Sequence, residues 1–237
     1  MKDKLSGYNI ENIDPSLLSL PVEGFKELLN RMDMAPKAGP PRWQDDIIER
    51  EMPVGVSVLD LGCNEGELLE RLSAHGKRRA QGVELDPEAV LKCIGKGVPV
   101  IQADLDQGLS GFQDSNFDYV VLEETLQTLK RPVEILKEML RVGRRGIVSF
   151  PNFGYWRVRM DFALRGRMPV TKGLPYTWYD TPNIHLFTLA DFFEWAEQAG
   201  VKIVRAYVLS EGEVRELRDN DNMFAEEALL VVEKIRR

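Results

Sequence analysis

From residue 56 onward, short apolar runs alternate with segments of helical spacing, an order that few folds accept. The runs cover residues 56–61, 80–84, 98–103, 117–122 and 146–150. Short runs of this kind are what strands buried on both faces require. A helix between successive strands rules out a tight hairpin, so the chain crosses over and lays its strands side by side in parallel. The pattern predicts an α/β fold with a doubly wound, mostly parallel sheet. Two later runs, 201–209 and 228–233, are joined by a charged segment without apolar periodicity. Such a link favours a hairpin, which makes the last strand antiparallel and brings the expected total to seven.

The first run ends in Asp60-Leu61-Gly62-Cys63-Asn64-Glu65-Gly66, a turn that opens a helix with an acidic start. Gly62 admits a positive φ at no steric cost, and Gly66 admits close approach to the backbone. Asn64 is the next best residue for a left-handed conformation, although its side chain takes room above the turn. Gly66 is followed by Glu67 and not by Lys and a hydroxyl residue, so this is no phosphate loop. Glu65 and Glu67 would also repel the pyrophosphate of a dinucleotide, which disfavours NAD and nucleotide-sugar chemistry. A cationic nucleoside suits the acidic turn, and S-adenosylmethionine, a sulfonium, is the clear choice.

Ligands of open α/β sheets sit at the carboxyl ends of the strands, near the point where strand order reverses. Carboxylates close each run there: Asp60 the first, Glu84 the second, Asp104 the third and Glu123 the fourth. Glu84, about twenty residues beyond the turn, is placed to accept from both hydroxyls of a ribose. Asp104 is placed to accept from an exocyclic amine, with Asp106 as the alternative exposed acid. A second role is open to Asp60 and Glu84, that of capping neighbouring backbone groups. Asp86, just before Pro87, reads as a helix N-cap.

The composition, 43% hydrophobic and 29% charged in 237 residues, is that of a globular chain with one main core. A formal net charge of −7 argues against binding to a nucleic-acid backbone. No apolar stretch approaches the roughly 18 residues of a membrane span, and no signal core follows Met1-Lys2-Asp3-Lys4, so a cytoplasmic protein is expected. Cys63 and Cys93 have neither metal-knuckle nor redox-pair spacing and read as small buried hydrophobes. Residues 1–50 differ from the rest and are expected to form a helical extension. In it Phe25, Leu28, Leu29 and Met32 share a helical face, packed either on the main domain or on a partner. Residues 43–50 form a further helix leading into the first strand. Residues 51–237 are the main domain.

The turn, together with Gly82-Val83-Glu84, Ala103-Asp104 and Phe117-Asp118-Tyr119-Val120-Val121, resembles the class I S-adenosylmethionine-dependent methyltransferases. Longer runs are more specific. Gln102-Ala103-Asp104-Leu105-Asp106, Phe150-Pro151-Asn152-Phe153-Gly154-Tyr155-Trp156 and Trp178-Tyr179-Asp180-Thr181-Pro182-Asn183-Ile184-His185 are similar to the methionine biosynthesis protein MetW family, a likeness that runs from about residue 56 to 190. The resemblance implies a Rossmann-like methyltransferase domain that binds S-adenosylmethionine or S-adenosylhomocysteine. It also implies a place in methionine synthesis, with homoserine O-acyltransferase as partner. The expected cofactor contacts are Asp60, Gly62, Cys63, Asn64, Gly66, Glu84, Leu85, Asp104, Leu105 and Glu123. Members of the family usually carry Gly where Asn64 stands.

Residues 151–187 form a long segment without clear period, rich in Trp, Tyr, Arg, Pro and Gly, and are expected to cover the site as a lid. Tyr179, Asp180 and His185 are its catalytic candidates. His185 precedes Thr188 and Asp191, the capping box of the next helix, so it is either a structural histidine or a general base. The arginines Arg157, Arg159, Arg165 and Arg167 serve either as a solvated helix face or as a carboxylate- or partner-binding set. A sulfonium methyl is already activated, so alignment alone can suffice for its transfer. Two functions follow. One is methyl transfer to a small acceptor; the other is a regulatory subunit that activates the acyltransferase. An acceptor cavity marks the first, and an exposed aromatic docking patch marks the second.

Overall fold

The computed structural model describes residues 42–74 and 78–235; the face assigned to Phe25, Leu28, Leu29 and Met32 lies outside them. In chain order the helices are α1 (Trp43–Glu51), α2 (Glu67–Ser73), α3 (Pro87–Gly95), α4 (Pro132–Val142), α5 (Trp156–Arg165), α6 (Leu189–Ala199) and α7 (Asp221–Phe224). The strands are β1 (Ser57–Leu61), β2 (Arg79–Glu84), β3 (Val100–Gln102), β4 (Phe117–Glu123), β5 (Gly143–Pro151), β6 (Val201–Ser210), β7 (Glu213–Glu216) and β8 (Glu227–Lys234).

The sheet runs β3-β2-β1-β4-β5-β8-β6-β7. Its first five strands are parallel, and β8 lies antiparallel between β5 and β6. Strand order reverses between β1 and β4, where Asp60 pairs in register with Val121. That reversal fixes where a ligand can enter.

The mixed α/β architecture with antiparallel final strands follows the sequence pattern, but the sheet has eight strands and not seven. The extra strand is β7, inside the charged link. Glu211 and Gly212 both take positive φ, 51° and 80°, and Ser210 pairs with Glu213, which makes a two-residue hairpin. An edge strand needs little apolar cover, so charge hid it from the hydrophobic pattern.

Strand alternation builds two cores. In β4, Val120 and Leu122 face one layer with α4 and α6, while Tyr119 and Val121 face the other with α1 and α2. Helix α1 belongs fully to the second layer. Trp43, Ile47 and Ile48, with Met52 just past its end, are buried against Leu68, Leu69 and Leu72. The buried Arg78 donates to the carbonyls of Glu49 and Met52, at 2.9 and 2.6 Å, and so satisfies orphan groups at the end of α1. Asp86 caps α3 through the amides of Glu88 and Ala89, and Thr188 with Asp191 forms the capping box of α6. Among the described residues no helix is long and apolar enough to cross a membrane.

Candidate functional site

The turn after β1 has the backbone that Gly62 and Asn64 foretell, φ 81° and 47°, and Gly66 is left-handed as well at 76°. A Cβ on Gly62 would stand 2.6 Å from Thr125 Oγ1, so glycine there lets the end of β1 close on the turn after β4. A Cβ on Gly66 would meet Cys93 Sγ at 2.9 Å, and it is helix α3 that takes the space. Both cysteines are buried and unbridged, and burial pushes the Cys63 thiol well above its usual range.

Glu84 closes this turn. One carboxylate oxygen accepts from the Asn64 amide at 2.8 Å; the other accepts from the amides of Leu85 and Asp86 at 2.7 and 2.9 Å. About four acceptor positions belong to a carboxylate, so little remains for a further donor. Asp104 accepts from the Asp106 amide at 2.9 Å and caps the short 3₁₀ turn Leu105–Gln107. Asp106 in turn holds the amides of Lys130 and Arg131. Leu105 is buried and Leu85 is exposed. These groups sit at the ends of β2 and β3.

A cavity of about 650 Å³ opens at the ends of β1 and β4, at the strand-order reversal. Asp60, Gly62, Cys63 and Asn64 line one side; Glu123, Glu124 and Thr125 line the other. Glu84, Leu85, Asp104 and Leu105 are outside its lining. Its roof is the start of α1. Trp43 Nε1 donates to Glu227 at 2.7 Å, and the Gln44 amide donates to Glu124 at 2.9 Å and to Glu227 at 3.0 Å. Arg42 pairs with Asp45 and Glu67 at the rim.

Acid dominates this chamber. Asp60 is 4% exposed, and its carboxyl accepts no hydrogen bond among the described residues. Burial, with Asp45 and Glu84 nearby, pushes its carboxyl up to about 7. Burial, then Asp45 and Asp60, pushes Glu123 to about 8; burial and the facing Glu227 push Glu124 to about 7. Burial also raises Glu227. Near neutral pH the cluster shares protons because its members cannot all ionise together. An entering cation would favour the ionised forms.

The segment 151–187 contributes Lys172 to this cavity, while Tyr179, Asp180 and His185 are exposed and outside its lining. Asp180 accepts from the Thr177 hydroxyl at 2.9 Å, and His185 donates its backbone amide to the Gln127 carbonyl at 3.0 Å. Arg157 is buried with Glu211 at 3.2 Å, and Arg165 pairs with Asp161 at 3.0 Å. The lining residues that the motifs do not mark include Arg42, Trp43, Gln44, Glu124, Lys172 and Glu227. Two were marked by acidic doublets, Glu123-Glu124 closing one apolar run and Glu226-Glu227 opening another. Among the described residues no group of three or more His, Cys, Asp or Glu is arranged to hold a metal ion.

The model of the family described as methionine biosynthesis protein MetW matches residues 42–232. This chain belongs to the MetW family. A relative from Rhodopirellula baltica, the bifunctional methionine biosynthesis protein MetXA/MetW, is 37% identical over 197 residues, which cover 78% of this chain. The match takes in 32% of that relative, so the chain spans about a third of its length. Among solved structures, an S-adenosylmethionine-dependent methyltransferase from Mesorhizobium loti aligns with a TM-score of 0.60 at 14% identity, covering 82% of this chain and 98% of that one. One from Thermotoga maritima aligns at 0.59 and 17%, covering 81% and 87%. A TehB-like one from Corynebacterium glutamicum aligns at 0.57 and 18%, covering 93% and 100%. MetW is thus a methionine biosynthesis family built on the S-adenosylmethionine methyltransferase fold.

Proposed function

We propose that the cavity binds S-adenosylmethionine or S-adenosylhomocysteine and that a small acceptor receives the methyl group beneath the α1 roof. One observation carries this reading: a single cavity joins the glycine turn to a cluster of carboxylates, buried Asp60 and half-buried Glu123 and Glu227 with exposed Glu124, at the strand-order reversal. Its volume lies within the roughly 300–1,000 Å³ of small-molecule sites. The Asp60 carboxyl, which accepts no hydrogen bond among the described residues, supplies an acceptor for the ligand's cationic end. Glu84 holds Asn64 and the turn in place at the β2 end, next to where the ribose would lie. The bound group supplies an activated methyl; the chain binds it, orients it and keeps water away. Thermal unfolding tests this. Millimolar S-adenosylmethionine or S-adenosylhomocysteine is expected to raise the melting temperature, and an unchanged transition would overturn the reading.

A second reading is favoured by the Rhodopirellula relative, in which a MetW part shares one polypeptide with a MetXA part. Joined parts meet at high effective concentration, as subunits that act together do. On this reading the chain is a regulatory subunit that binds and activates homoserine O-acyltransferase. Co-purification with the acyltransferase and its turnover with and without this chain test it. A turnover rate and stability indifferent to the chain would sink it.

A further inference from the structure

Half of the large apolar side chains exposed among the described residues fall between Phe162 and Leu186. Trp178 is 75% exposed and Tyr179 68%, with their rings edge to face at 5.5 Å. Beside them Met168, Tyr176 and Leu186 line a shallow groove with Trp178. Contiguous apolar surface of this kind is unfavourable in water unless something covers it, and exposed Trp and Tyr are the residue types that anchor protein interfaces. The methyl-transfer reading does not use these side chains, because the cavity takes only Lys172 from this segment.

The groove is not a loose loop end. The amides of Ile184 and His185 donate to the Gln127 carbonyl at 2.9 and 3.0 Å, and the Phe153 amide donates to the Phe187 carbonyl at 3.1 Å. Gln127 is buried, and its side-chain amide donates to the Glu124 carbonyl at 2.6 Å. The aromatic face is therefore mounted on the turn that carries Glu124 into the cavity. The segment that carries it differs in charge from the whole: residues 152–187 hold five Lys or Arg against two Asp, within a chain of net charge −7. Arg157 is buried on Glu211 and Lys172 lines the cavity, while Arg167, next to Met168, is exposed. A partner seated there would present apolar pockets rimmed by acid.

We propose that this face, centred on Trp178 and Tyr179, is the docking surface for the homoserine O-acyltransferase. The proposal rests on the regulatory reading above, since the MetXA/MetW relative supplies the occupant. The Trp178–Tyr179 pair enters apolar pockets of the acyltransferase as a rigid anchor, and Arg167 beside Met168 meets an acidic rim.

The test uses the full chain and the acyltransferase of the same organism, with affinity measured by calorimetry and mass by sedimentation. The double variant Trp178→Ala with Tyr179→Ala is expected to weaken binding at least 30-fold, with the melting temperature and the S-adenosylhomocysteine response of this chain unchanged. Leu91→Ala, an exposed apolar control on α3, is expected to leave affinity within twofold. Unaltered affinity in the double variant, with the unmodified chain still binding, overturns the docking face and leaves the regulatory reading standing. No binding by the unmodified chain overturns the regulatory reading itself. Self-association abolished by the double variant assigns the face to a second copy of this chain and overturns the proposal.

Discussion

Trp43 and Trp178 mark two regions that share a residue type and almost nothing else. Trp43 is 3% exposed, packs between α2 and the sheet, and binds Glu227 across the roof of an acidic cavity. Trp178 is 75% exposed on an aromatic outer face. The comparison teaches that conspicuous chemistry and working chemistry are separate here. The segment richest in aromatic and titratable candidates points outward, while the cavity is built from carboxylates at strand ends and from the first turn of a helix.

The strongest way to break this comparison is to truncate both tryptophans. Trp43→Ala is expected to destabilise the chain by about 3–5 kcal/mol, because it opens a cavity in a packed layer. Trp178→Ala should leave denaturant unfolding within about 0.5 kcal/mol of the original. Similar losses for both would show that the outer face belongs to the fold. Trp43→Phe sharpens the point. It keeps most of the packing and removes the bond to Glu227, for an expected loss of about 1 kcal/mol.

Glu84→Ala comes next. Three backbone amides lose their acceptor, which should lower stability by about 1–3 kcal/mol and abolish the thermal response to S-adenosylhomocysteine. A retained response would move the ligand away from the β2 end.

Titration separates the cavity from the outer face more gently. Asp60, Glu123 and Glu124 hold protons in the folded state up to about 7, 8 and 7, whereas unfolded carboxyls release them near 4. The folded state therefore binds more protons across that window. Stability is highest below it, declines as pH rises toward 8, and levels off above. A cationic ligand favours the ionised forms, so S-adenosylmethionine should bind more tightly at pH 8.5 than at pH 6 and release protons on binding near pH 7. The gain is up to about tenfold per pH unit for each proton released. Calorimetry in buffers of different ionisation enthalpy reads this directly, and affinity independent of pH would contradict it.

Asn64→Gly should change stability by under about 1 kcal/mol, because both residues accept a left-handed backbone. If the Asn64 side chain crowds the cavity it lines, the same variant tightens ligand binding; unchanged affinity would show that it does not.

Much of the fold was legible because its signals are local. The parallel strands, the positive φ at Gly62 and Asn64, the Asp86 cap and the Thr188 capping box each depend on a few neighbouring residues and appear where the pattern puts them. Strand β7 was missed for the same reason, since an edge strand lacks the apolar alternation that marks a buried one. The site was legible only on its β1 side and at Glu123. Gln44, Glu124 and Glu227 come from three distant parts of the chain and meet through two hydrogen bonds over the cavity. No local spacing encodes that meeting.

Sequence by itself determined the sheet, the turn after β1 and membership in the MetW family, because hydrophobic period, backbone freedom and extended motifs are properties of contiguous residues. Tertiary structure alone decided which acids share one cavity, that α1 roofs it and that Trp178 and Tyr179 turn their rings outward. Burial and charge proximity depend on packing between remote segments, and those are the quantities that raise the carboxyls of Asp60, Glu123 and Glu124 toward neutrality.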